Sequence, residues 1–151
     1  MRIALLSLFF TLGLLVSGGA GANGPTDVEK ELKKFQGVWT FEAVESGGNK
    51  LSANLFEKMT VRFEGDKYSV LMGDMVVEVA TQKLDPSRSP KAVDSTVTDG
   101  PNKDKVYLGI YEIDGDTLKV CFDEAGKKRP TAFKTEVGSA MVLVVHKRVK
   151  K

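Results

Sequence analysis

Residues 99–133 read DGPNKDKVYLGIYEIDGDTLKVCFDEAGKKRPTAF. Two runs within this stretch, 105–113 and 117–122, alternate apolar and polar residues, as half-buried β-strands do. Asp114-Gly115 lies between them, and Asp-Gly is typical of tight hairpins because both residues tolerate a positive φ. The stretch therefore predicts two consecutive antiparallel strands joined by a short turn.

The rest of the chain follows the same pattern. Further strand-like runs occupy 38–45, 58–64, 67–72, 75–84, 92–98 and 141–149. Short glycine-containing turns separate several of them, and a short connection makes neighbouring strands antiparallel. Closure would remove the free edges of such a sheet. The sequence predicts a mainly β domain, an antiparallel up-and-down barrel or strongly curved sheet of eight strands.

A short N-terminal helix precedes the strands. Thr26 followed three residues later by Glu29 is a capping box, in which each side chain accepts a hydrogen bond from the other residue's backbone N–H. An apolar stripe at positions i, i+4 and i+7 consists of Val28, Leu32 and Phe35. We expect this stripe to pack on the sheet or to plug one end of a barrel.

Residues 1–22 have the features of a secretory signal. Arg2 precedes an apolar run over 3–16, and Ala20-Gly21-Ala22 fits a signal peptidase site. The run is shorter than the roughly 20 apolar residues of a spanning helix. We expect removal of 22 of the 151 residues, which leaves one domain, 23–151, of 129 residues. The expected location is periplasmic or extracellular, with no transmembrane segment after cleavage.

Charge and residue counts exclude several functions. The net charge of +2, from 22 basic and 20 acidic residues, gives no electrostatic basis for binding nucleic acid. With one cysteine, Cys121, no intramolecular disulfide can form. One cysteine and one histidine offer no transition-metal site, and Asp114-Gly115-Asp116 lacks the later ligands of an EF-hand loop. We expect neither a metal nor a cofactor.

No catalytic constellation is recognisable. The single histidine, His146, is interpreted as a half-exposed residue of the last strand, and Cys121 is on a different strand. Nucleophilic catalysis needs a base beside the nucleophile, and nothing in the sequence brings these two together. The prediction is that the protein is not an enzyme.

Eight short motifs carry a resemblance to a known family. They are FQGVW (35–39), GDKY (65–68), KLDPS (83–87), PKAVD (90–94), TDGP (98–101), LGIYE (108–112), DGDTLKVCF (114–122) and RPTAF (129–133). Together they resemble an uncharacterised, lipocalin-like family of small secreted domains that is abundant in Planctomycetes. The chain departs from it at 102–105, where NKDK replaces an expected glycine-containing turn. The resemblance implies the eight-stranded fold and export, and no activity, ligand or catalytic residue.

The interior of the barrel is the first candidate site. By alternation, the inward residues are bulky: Trp39, Phe41, Met59, Phe63, Leu118, Val120 and Phe122. These residues either line a hydrophobic pocket or meet at the centre. The filled core is the favoured alternative, because each fully buried large side chain contributes roughly 1.5–3 kcal/mol.

Arg129 is the second candidate. Pro130 stiffens its segment, and an arginine beside a barrel mouth can clamp a carboxylate or phosphate, with Tyr111 on the adjoining strand. The alternative is that Arg129 pairs with an acidic residue or a loop carbonyl and holds the loop before the last strand.

The leading hypothesis is an exported, non-catalytic binding module of lipocalin-like type for a small apolar or amphipathic ligand. Its predicted ligand-binding residues are Trp39, Phe41, Tyr111, Phe122 and Arg129. The alternative is an envelope interaction or structural domain with a filled core, which binds a protein or a glycan on its surface. An enzyme of unknown type ranks third.

Overall fold

A computed structural model describes residues 24–151 as a closed β-barrel with one helix at its end. The strands are β1 (Gly37–Ser46), β2 (Asn49–Lys50), β3 (Met59–Glu64), β4 (Lys67–Met72), β5 (Met75–Asp85), β6 (Lys91–Asp99), β7 (Val106–Asp114), β8 (Thr117–Asp123) and β9 (Met141–Arg148). The predicted signal, residues 1–22, lies outside the described residues.

All strand pairs are antiparallel, in the order β2-β1-β3-β4-β5-β6-β7-β8-β9, and β1 also pairs with β9. Eight strands therefore close into an up-and-down barrel, and the two-residue β2 pairs only with the end of β1. The predicted eight-stranded fold is confirmed, as the barrel rather than the open sheet. The sequence did not predict β2, which is too short for a period of two to appear.

Tight turns join the strands where the sequence predicts them. Gly65, Gly73 and Gly115 turn the β3–β4, β4–β5 and β7–β8 hairpins with φ of +62°, +61° and +57°. In the 102–105 loop, Asp104 adopts the left-handed conformation, with φ +73°. Aspartate tolerates this region better than most residues, so the loop turns without the expected glycine.

Helix α1 (Asp27–Phe35) closes one end of the barrel. The predicted capping box is present: the Thr26 N–H donates to Glu29 Oε2 at 2.6 Å, and the Glu29 N–H to Thr26 Oγ1 at 3.2 Å. Phe35 is buried and packs its ring 5.2 Å from that of Phe63. We call this the closed end. In the described residues no helix is long and apolar enough to cross a membrane.

A long connection, residues 124–140, lies between β8 and β9, and we call it the strap. It follows Asp123, the last residue of β8, whose buried carboxylate accepts hydrogen bonds from three backbone N–H groups of the strap. Further along, the Lys134 carbonyl accepts a hydrogen bond from Cys121 Sγ at 3.5 Å. Because Phe122 points into the barrel, its neighbour Cys121 points outward. The strap therefore covers part of the outer face of the barrel.

Candidate functional site

The barrel contains a cavity of about 500 Å³. It extends from the aromatic core at α1 to the opposite end, where its wall includes the half-exposed Leu55 and residues of the 100–105 loop. We call this the open end. The cavity overturns the expectation of a filled core.

Two of the bulky inward residues pack against aromatic rings on adjacent strands. The ring of Phe41 lies 4.5 Å from that of His146, its cross-strand partner on β9. On the other side, the ring of Phe122 lies 5.3 Å from that of Tyr107 on the adjacent strand β7. These rings pack against the next strand along the wall, and the space between the walls stays open.

Most of the wall is apolar. Its apolar residues between the two ends include Phe41, Val44, Met59, Val61, Val70, Val120, Phe122, Val142 and Val144. A mainly apolar concave surface with a few placed polar groups is the usual form of a small-molecule site.

Polar side chains gather near the closed end of the cavity, which we call the floor. Gln82 on β5 and Ser95 on β6 are cross-strand partners, both buried, and Tyr68 on β4 lies beside them. Burial raises the pKa of Tyr68 to about 12, against a smaller lowering effect of the Ser95 hydroxyl. All three groups are uncharged at neutral pH.

His146 faces the same cavity and is only 6% exposed, so the interpretation of a half-exposed histidine is wrong. The reason is closure: β9 has β1 on one side and β8 on the other. Burial lowers the pKa of His146 to about 4, and a hydrogen bond between Nδ1 and the Thr40 carbonyl, at 3.3 Å, opposes this shift. The imidazole is therefore neutral at pH 7.

Two carboxylates lie at the open end. Glu78 Oε2 accepts hydrogen bonds from the Tyr107 hydroxyl at 3.3 Å and from Asn102 Nδ2 at 3.4 Å. Partial desolvation raises the pKa of Glu124, and the nearby charge of Glu78 adds to the rise while Lys105 opposes it. The mouth of the cavity is therefore acidic.

The five predicted site residues separate into two groups. Phe41 and Phe122 line the cavity. Trp39, Tyr111 and Arg129 lie elsewhere, so the structure does not bring the five together. Gln82 was not among the predicted site residues, although a polar residue between the inward Ala80 and Leu84 indicates a polar group on the barrel wall.

Trp39 belongs to the closed end. Its side chain is fully buried, and its indole N–H donates to the Phe35 carbonyl at 2.7 Å. The guanidinium of Arg148 lies 4.1 Å from the centre of the indole ring and also donates to the carbonyls of Gln36 and Lys34 at 2.7 and 2.8 Å. Together these contacts attach the C-terminus of α1 to the first and last strands of the barrel.

Tyr111 also belongs to the closed end. Its ring packs edge-on against Phe35 at 5.0 Å, and its hydroxyl donates to Glu31 Oε2 at 3.1 Å. Burial would raise the pKa of Glu31, but hydrogen bonds from Lys34, Lys91 and Tyr111 outweigh it and hold that pKa below its ordinary value. The pair holds the helix rather than a ligand.

Arg129 lies on the outer face of the barrel. It pairs with an acidic residue and with backbone carbonyls, as the alternative interpretation predicts. Its guanidinium donates to Asp94 Oδ1 at 2.6 Å and to the carbonyls of Val93 and Gly109 at 3.2 and 2.8 Å. These contacts bind the strap to β6 and β7. All of its short contacts are internal, so it is not placed to clamp a ligand at the mouth.

The chemistry available in the described residues is limited. Cys121 lies under the strap, and burial raises the pKa of its thiol. His146 lies on the opposite face of the sheet, so no nucleophile–base pair forms between them. Within residues 24–151 no group of three or more acidic, histidine or cysteine side chains is arranged to hold a metal ion.

Comparison of the chain with family models, with curated proteins and with solved structures finds no match. Membership of the lipocalin-like family suggested by the sequence motifs therefore stays a prediction.

Proposed function

We propose that this protein is an exported, non-catalytic binding protein that holds one small, mainly apolar ligand inside its barrel. The observation that carries the proposal is the cavity of about 500 Å³ between the closed end and the open end. Its volume falls in the roughly 300–1,000 Å³ range of small-molecule sites. Its wall is apolar apart from the floor and the mouth.

The energetics favour a ligand with an apolar body. Each methylene group moved from water into an apolar wall contributes roughly 0.8 kcal/mol. A rigid closed barrel loses little conformational entropy on binding, so more of this gain appears as affinity. The export part of the proposal rests on residues 1–22, and N-terminal sequencing of the mature protein tests it: we expect Asn23 as the first residue.

Native mass spectrometry of the protein purified from its own envelope fraction tests the binding part. We expect a reproducible additional mass on the folded protein, released when the protein is denatured. The matched control is Val144→Trp, which places a large ring into the cavity from a wall position. The control should carry no additional mass. Consistently empty wild-type protein would contradict the proposal.

A further inference from the structure

Gln82 is a buried polar group without a protein partner. Its side chain lines the cavity and is only 5% exposed, yet Nε2 makes no hydrogen bond to any other described residue. Buried polar groups are nearly always hydrogen-bonded, because leaving one unsatisfied is costly. An acceptor from outside the chain, either a water or a ligand, would satisfy this amide.

The position of Gln82 along the barrel sets where that acceptor must lie. The next inward residue on β5 is Leu84, a member of the packed core at the closed end. In the other direction Glu78 is already at the mouth. Gln82 is therefore at the floor, with the Ser95 and Tyr68 hydroxyls as its polar neighbours.

The charges of the wall select against an ionised head group. Among the described residues that line the cavity there is no lysine or arginine, and His146 is held neutral by its burial. A carboxylate at the floor would be a buried charge without a counter-ion, which is strongly unfavourable. It would also have to pass Glu78 and Glu124 at the mouth.

We propose that Gln82, with Ser95 and Tyr68, binds an uncharged hydrogen-bond-accepting head group, and that the ligand enters head first with its apolar chain toward the mouth. The ligand class is a neutral amphiphile, such as an aliphatic alcohol or primary amide. This inference rests on the proposed binding function and adds the polarity and orientation of its ligand.

A series of compounds with one tail and different heads tests the inference. Decanol, decanamide, decanoate and decylamine compete with the neutral fluorescent probe N-phenylnaphthylamine for the full chain at pH 7. We expect decanol and decanamide to bind about tenfold more tightly than the two ions, since a lost buried hydrogen bond or an unpaired charge has an effect of this size.

Two variants locate the head group. Gln82→Met keeps the length of the side chain and removes its hydrogen bonding, so decanol affinity should fall about tenfold relative to the affinity of the same variant for the probe. Ser46→Ala removes a polar group from the open-end part of the wall and should leave the decanol preference intact. Saturable probe binding shows that each variant retains its fold and cavity.

The outcomes separate this inference from the function on which it rests. If the probe and all four compounds bind with equal affinity, or if Gln82→Met keeps the decanol preference, the head-group assignment is wrong and the binding function stands. Tightest binding of decylamine would place the head group at the acidic mouth and overturn the orientation. Absence of binding by every compound, the probe included, would overturn both.

Discussion

The two ends of the barrel use the same kind of residues for different purposes. At the closed end, Phe35, Trp39 and Tyr111 are buried against one another and against the helix. Toward the open end, Phe41 and Phe122 are only partly buried and border a cavity. Dense packing and open space are therefore separated along the barrel axis: the aromatic core lies at the helix end, and the cavity extends to the other end.

The two ends also differ in how they affect the pKa of a carboxyl group. Glu31 at the closed end is 7% exposed at its side chain and accepts hydrogen bonds from three neighbours, so its pKa is lowered. At the open end, partial desolvation raises the pKa of Glu124, and the nearby charge of Glu78 adds to the rise. The surroundings therefore favour the charged form of Glu31 and disfavour that of Glu124.

The largest expected effect is that of truncating an aromatic residue at the closed end. Trp39→Ala should lower the free energy of unfolding by about 3–5 kcal/mol, because it leaves a void in a packed core. Phe122→Ala should cost about 1–2 kcal/mol, because its ring already borders open space. Urea denaturation of the two variants measures both. Equal losses would show that the ends do not differ in packing.

The next effect concerns the attachment of α1. Arg148→Met removes the hydrogen bonds to Gln36 and Lys34 and the contact with Asp116, and we expect a loss of about 2 kcal/mol. Hydrogen exchange should show faster exchange of the α1 amides. The control is Lys150→Met, whose exposed ammonium also pairs with Asp116 and should have almost no effect.

Lowering the pH should destabilise the closed end by protonating Glu31. Because its pKa in the folded state lies below its ordinary value of 4.5, its contribution is complete above that value and is lost as the pH falls through the folded-state pKa. Glu31→Gln should cost about 1–3 kcal/mol at pH 7 and less at pH 3. Thermal melts at the two pH values measure this, with the exposed Glu57→Gln as the control. A loss that does not change with pH would contradict the assignment.

The strap should detach locally when its anchor is removed. Arg129→Met eliminates the contacts with Asp94, Val93 and Gly109, at a cost of about 1 kcal/mol. Since Cys121 lies under the strap, its alkylation under native conditions should become faster. Arg88→Met, at an exposed ion pair with Asp85, is the control and should leave the alkylation rate unchanged.

The smallest expected change in stability is that of removing a charge at the mouth of the cavity. Glu124→Gln removes a charge whose pKa is raised, so the variant should gain no more than about 0.5 kcal/mol at pH 7 for this partly solvated group. Because the pKa of Glu124 is raised in the folded state, the wild type loses stability relative to the variant as the pH rises from 4 to 7. Melts at the two pH values check this, and a destabilised variant would contradict it.

The sequence predicted the barrel well, because alternation and glycine turns are local. The 67–72 strand and the Asp114-Gly115 hairpin follow directly from their residues. Alternation tells which face of the sheet a residue is on, but not its level along the axis. Trp39 and Tyr111 were therefore grouped with Phe41 and Phe122, although only the latter two line the cavity.

Long-range contacts account for the other differences. The burial of His146 depends on pairing of β9 with β1, which are at opposite ends of the described chain. The role of Arg129 depends on the strap folding back to Asp94, and the strap has no periodicity that would predict its path. The floor around Gln82 combines inward positions of β4, β5 and β6, and the alternation of each strand could have predicted these positions.

Titration of the neutral probe into wild type and Val144→Trp tests the central claim, that the open half of the barrel is a ligand cavity. We expect saturation at one probe per chain in the wild type. In the folded variant binding should be at least about tenfold weaker, since the added ring occupies the cavity. The exposed Val149→Trp, the control, should bind as the wild type does. Probe binding of equal affinity in Val144→Trp, or none in the wild type, would contradict the claim.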